Sequence, residues 1–188
     1  NRYPGTLMFG VCGNAEHKLV PELREQFLTK LSCAGVATLN NANTTVTING
    51  QQIAVIGTDD PYYGFHDLDA AFAGLDRALP NILITHSPQV VRTALTYTPD
   101  IVLSGHTHGG QVRLPGIGPL RTQNPLSRMI AMGLFSPEKL RKLFLIESRF
   151  ETWLYVSRGL GLAFVPHMRW LAPRFLCRPE VTLITISA

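Results

Sequence analysis

The run Leu103-Ser104-Gly105-His106-Thr107-His108-Gly109-Gly110-Gln111 sets two imidazoles two positions apart at the end of an apolar stretch. In extended backbone, residues i and i+2 point to one face, roughly 6–7 Å apart at Cα. That separation suits one histidine on each of two metal ions spaced ~3.5–4 Å apart, as in dinuclear hydrolases. The flanking glycines allow a tight turn and close approach by a ligand. A His-x-His pair is also at home as two hydrogen-bonded structural residues, so its weight depends on the rest of the chain. Asn14 after Gly13, and His86 in Thr85-His86-Ser87-Pro88, supply two more donors. Asn14 also has a plain reading, as a turn residue tolerant of left-handed backbone.

Short β-rich runs alternating with amphipathic stretches must position these groups. The pattern predicts strands over 6–12, 82–85, 101–104, 111–114, 153–157 and 181–186. It predicts helices over 21–34, 67–79 and 89–95, the first opening on Pro21 and carrying Leu23, Phe27, Leu28 and Leu31 on one face. Asn49-Gly50 between two β-type runs signals a hairpin. Asn14, His86, His106 and His108 all follow apolar strands, and in layered α/β folds those carboxyl ends form the ligand crevice. Asp59-Asp60-Pro61 reads as a strand-ending turn, with a functional loop as the alternative, and His66 and His167 read as surface or loop histidines.

A chain of 188 residues with 45% apolar and 16% charged residues has the length and composition of one folded domain. Three well-separated cysteines form neither a disulfide framework nor a structural zinc site, which fits a reducing compartment. Charge is uneven: residues 1–120 hold 7 Lys+Arg against 9 Asp+Glu, and residues 121–188 hold 10 against 4. A basic rear half suits an anionic partner. The chain has no Gly-x-Ser-x-Gly elbow, no Walker-type phosphate loop and no His-x-His-x-Asp-His run.

Taken in order, Gly13-Asn14-Ala15-Glu16, Thr85-His86-Ser87-Pro88 and Gly105-His106-Thr107-His108 resemble the last three motifs of the calcineurin-like metallophosphoesterases. The resemblance covers most of residues 5–120 and resumes at 155–161 and 178–183. It implies an α/β fold, with a two-sheet β-sandwich core flanked by helices. It also implies a dinuclear centre of divalent ions, manganese first and zinc or iron as alternatives. Residue by residue, Asn14, His86 and His106 would bind one metal and His108 the other, and a metal-bound hydroxide would attack phosphorus directly. The family's opening Asp-x-His and Gly-Asp-x-x-Asp motifs do not occur here. Residues 1–188 therefore read as a single metallophosphoesterase domain, a partial chain without its first motifs. Ala15 stands where the family often has histidine, which makes His17 the nearby substitute; Arg158 and Arg169 are assigned to substrate.

Residues 121–152 read as an insertion or cap that is helical, basic and amphipathic. Ser136-Pro137-Glu138 forms a helix start, and Lys139-Leu140-Arg141-Lys142-Leu143-Phe144 mixes cations with large apolar groups. Residues 164–171 and 174–176 repeat the theme. Such segments suit an anionic membrane surface or acyl chains under a phosphate; they equally suit a cap packed on the core. The cations interleave with Leu, Met and Phe rather than with stacking aromatics, which sets nucleic acid aside. Within the family this resembles the branch that cleaves lipid-linked pyrophosphates. The expected substrate is UDP-2,3-diacylglucosamine, split to UMP and a lipid monophosphate in lipid A biosynthesis. The expected location is peripheral, on the cytoplasmic face of a bacterial inner membrane. The alternatives are a broad-specificity metallophosphodiesterase for soluble or cell-wall substrates, and a non-catalytic binding protein of the same fold.

Overall fold

In a computed structural model, which describes residues 5–120, 122, 126, 128–162 and 174–186, the chain opens with a short parallel pair. This is β1 (Met8–Gly10) beside β2 (Val36–Thr38), joined through α1 (Pro21–Cys33). Then β3 (Ala42–Ile48) and β4 (Gln51–Gly57) form the expected hairpin. Asn49 and Gly50 both take positive φ, 51° and 80°, as the twist of a two-residue hairpin turn requires.

The main sheet grows from that hairpin. α2 (Leu68–Ala71) leads to β5 (Asn81–Thr85), and α3 (Val91–Ala94) to β6 (Ile101–Ser104). After a small ribbon of β7 (Arg113–Leu114) and β8 (Gly118–Pro119) come β9 (Gly133–Phe135), α4 (Pro137–Phe144) and β10 (Trp153–Val156). The six-stranded order is β3-β4-β5-β6-β10-β9, with β4, β5, β6 and β10 parallel and both edges antiparallel. The class is α/β with one large mixed sheet.

Side chains alternate across the parallel strands. One face presents Ile56, Leu83, Val102 and Leu154, each fully buried, to Leu68, Phe72, Val91, Leu95 and Leu140 from the helices and their flanking turns. The other carries Ile82, Ile84, Ile101, Leu103 and Tyr155, all only half-buried. β9 is itself a strand of the main sheet, and α4 turns Leu140, Leu143 and Phe144 into the main core. Ser136 caps α4 by accepting from Lys139 N at 3.3 Å. That helix therefore packs its apolar side on protein.

Three expected elements differ. The helix over 67–79 stops after one turn. Asn43 of β3 donates to the carbonyls of Ala71 and Ala73, and Gly74 takes φ 68°, so the chain leaves the helix there. Leu68 and Phe72 still reach the core. Residues 181–186 form no strand; Val181 and Leu183 are 83% and 93% exposed, and the ladder places no neighbour beside them among the described residues. In α1 no residue is fully buried, and the apolar stripe lies half open, with Leu23 51% exposed. Residues 164–171, with His167 and Arg169, lie outside the described residues.

Gly57 is a packing constraint at the end of β4. A Cβ there would strike the Leu39 carbonyl oxygen and approach Leu39 Cβ to 2.5 Å. Backbone cannot step aside as a side-chain tip can, so Gly57→Ala is expected to destabilise the protein by roughly 2–3 kcal/mol. A shift in the urea midpoint with an unchanged slope would measure this.

Candidate metal centre

Three loops at strand carboxyl ends bring Asn14, His86 and His106 together. Asn14 follows β1, His86 follows β5 and His106 follows β6. Gly105 N donates to the His86 carbonyl at 3.1 Å, which ties the second and third loops. Beneath them the buried hydroxyls of Thr58 and Thr85 bond at 2.8 Å. The first loop is closed by Gly13 N donating to the Glu16 carboxylate at 2.8 Å. Gly13 is then the close-approach point: a Cβ on it would lie within 2.5 Å of His86 Cε1. Only glycine lets the imidazole pass over this backbone.

The donor atoms converge on His86 Nε2, which stands 2.9 Å from Asn14 Oδ1 and 2.9 Å from His106 Nδ1. One ring nitrogen offers either one hydrogen or one lone pair, so it cannot serve two such partners well. A cation can accept lone pairs from all three atoms at once. With bonds of about 2.0–2.2 Å, neighbouring ligand atoms fall roughly 3.0–3.4 Å apart, close to the spacing found. Burial also holds His86 below the ordinary imidazole value of 6.5, against the opposing pull of Asp60 and Glu16, so the ring is neutral near pH 7. The donor set fits one divalent ion.

His108 sits apart from that group. The backbone does not remain extended past Ser104: His106 takes φ 65°, Thr107 is helical and His108 takes φ 50°. The expected same-face geometry of i and i+2 is therefore lost. The His108 Nδ1 lies 3.1 Å from the Gly161 carbonyl oxygen. Burial first, then the Arg174 charge, keep this ring neutral as well. Cys177 Sγ donates to the His108 carbonyl at 3.1 Å, fixing the turn. Among the described residues no three His, Cys, Asp or Glu side chains gather around a common point. The convergent group is two imidazoles and a carboxamide.

The remaining assigned residues hold protein partners. His17 has Nε2 2.6 Å from Asp59 Oδ1 and Nδ1 3.0 Å from Arg24, with its ring stacked on Phe65 at 4.1 Å. Its side chain is 4% exposed. Arg158 grips Glu180: Nε donates to Oε2 at 2.6 Å, the backbone N to Oε1 at 2.8 Å, and the Nη2 group makes a further bond. For Glu180, burial pushes the carboxyl up, but the Arg158 bonds outweigh it and hold the group below its ordinary 4.5. A carboxyl depressed in the folded state adds stability above 4.5, and that stability is lost as pH falls through its folded value. Glu180→Gln should therefore lower stability by roughly 1–3 kcal/mol at pH 7. Urea midpoints of the two proteins should converge as the pH falls below 4.5 and through the depressed value of the folded carboxyl.

Sequence reasoning missed Tyr62 and Tyr63 in the loop after β4. Asp60 is fully buried, and its carboxylate accepts from Tyr62 N and Tyr63 N, both at 3.1 Å. This confirms a turn, but the turn delivers the Tyr62 ring to His106, with centroids 4.8 Å apart. Nothing in Asp59-Asp60-Pro61 signals that destination.

The chain belongs to the metallophosphoesterase family. It is 30% identical over 159 residues to the uncharacterized metallophosphoesterase YkuE of Bacillus subtilis, covering 84% of this chain and 49% of that protein. It is 33% identical over 148 residues to the UDP-2,3-diacylglucosamine pyrophosphatase LpxG of Chlamydia trachomatis, covering 78% and 40%. It is 26% identical over 182 residues to the phosphodiesterase YaeI of Escherichia coli, covering 95% and 57%. The chain thus spans about half the length of the curated relatives it matches. No family model and no solved structure matches it.

Proposed function

We propose that the protein is a metal-dependent phosphohydrolase acting on a lipid-linked pyrophosphate, with UDP-2,3-diacylglucosamine as the substrate. The observation that carries the reading is the convergence of Asn14, His86 and His106 in a chain of this family. Divalent ions, manganese in this reading, would lower the pKa of water and neutralise charge on the phosphoryl group. Asn14, His86 and His106 would hold one ion and His108 would serve a second. His17 and Arg158, whose polar atoms are engaged by Asp59 and Glu180, brace the site's walls in this reading.

The same reading makes residues 1–188 one domain of a two-sheet sandwich, with 121–152 as an insertion. The half-buried apolar face of Ile82, Ile84, Ile101 and Leu103 supports a second facing sheet. Peripheral contact with the cytoplasmic side of a bacterial inner membrane is part of the proposal. Its support is the basic rear half together with Met129, Leu134, Leu145 and Leu160, which are 69%, 54%, 88% and 66% exposed. No helix among the described residues is long and apolar enough to cross a membrane.

The test is UMP release from UDP-2,3-diacylglucosamine in mixed micelles, after chelation and again after manganese is restored. Manganese-dependent UMP release is expected. Turnover of bis(p-nitrophenyl) phosphate without UMP release would favour a broad phosphodiesterase. Neither turnover nor metal uptake would leave a binding protein of this fold.

A further inference from the structure

We infer that Tyr62 and Tyr63 form a stacking platform for a planar ring, a nucleobase or aryl group, carried by the phosphoester that the centre receives. The inference rests on the phosphoesterase reading of Asn14, His86 and His106. Tyr62 lies against His106 with centroids 4.8 Å apart and planes 47° apart. Tyr63 meets Tyr62 edge-on, at 5.1 Å and 70°. The two rings thus make a corner beside a proposed metal ligand, yet they remain 41% and 47% exposed. Exposed aromatics next to a polar centre gain little from one another alone; a third ring can stack on one face and meet the other's edge.

The corner is preorganised. Asp60 accepts from both tyrosine backbone N–H groups, Phe65 N donates to the Asp60 carbonyl at 2.9 Å, and Gln89 donates to the Pro61 carbonyl. A rigid aromatic surface loses little entropy on binding. An acyl chain would gain burial there but no quadrupolar match, so a flat ring is the better occupant.

Base–aromatic stacking of the usual strength changes affinity by about tenfold. Titration calorimetry with UMP, ribose 5-phosphate and decyl phosphate, in manganese and in chelator, tests the platform directly. The unaltered protein should bind UMP about tenfold more tightly than ribose 5-phosphate. Tyr62→Ala and Tyr63→Ala should each reduce that preference, whereas Tyr62→Phe should keep it. Manganese content is measured alongside, and Tyr63→Ala, whose ring is the outer one, guards against misfolding of the Tyr62 variant. Equal affinity for UMP and ribose 5-phosphate overturns the inference, as does a preference that survives both alanine variants, or alanine variants that lose affinity for decyl phosphate and keep it for UMP. Failure of the unaltered protein to bind manganese or turn over any diester overturns the phosphoesterase reading, and the inference with it.

Discussion

The His106→Ala protein is expected to lose its bound divalent metal and about 10³-fold or more of its diester hydrolysis. The imidazole supplies one of three convergent donor atoms, 2.9 Å from His86 Nε2. Changes to groups that merely support metal ligands typically cost 10–100-fold in affinity or activity, so removal of a ligand should exceed that. The ring is also 8% exposed and packs on Tyr62, so circular dichroism must first show a folded variant. Metal content by elemental analysis after dialysis then decides the matter. A folded His106→Ala protein with undiminished metal would remove Asn14, His86 and His106 as a centre.

Gly13→Ala should produce nearly the same defect without altering any donor. The added methyl would occupy the space of the His86 ring, within 2.5 Å of Cε1. Backbone closed by the Glu16 bond cannot move freely, so the imidazole must swing away from Asn14 and His106. Displacing a reacting group by about 1 Å can cost about 10²-fold in rate. The expected result is a drop in kcat/KM of about 10²-fold with weakened metal binding. Wild-type kinetics in Gly13→Ala would mean that the His86 position is immaterial to turnover. Gly13→Ser, with a similar Cβ, should follow the alanine variant.

Much of the architecture is legible in the chain. The alternation of β4, β5, β6 and β10 with helical stretches is enough to expect an α/β sheet, because pleating and helical pitch impose different apolar periods. Asn49-Gly50 announces its hairpin because both residues tolerate positive φ. Shorter elements are less legible. The helix after Asp67 ends because Asn43, far away in sequence, takes its carbonyls. The stretch after Val181 alternates like a strand, but a strand is completed only by a neighbour's backbone groups.

The site divides in the same manner. By itself, the sequence determined which side chains can offer neutral nitrogen or amide oxygen and that they follow apolar strands. It also determined the family, through three ordered motifs. Only the tertiary structure decided which donors meet. The parallel register of β5 and β6 carries the loops of His86 and His106 to one place, Asn14 reaches them from the separate β1–β2 pair, and left-handed backbone at His106 and His108 turns the second imidazole toward Gly161. It also decided that His17 faces Asp59, that Arg158 faces Glu180 and that Tyr62 reaches His106. These are contacts between segments far apart in the chain, whose geometry depends on packing of the whole sheet, and no local spacing encodes them.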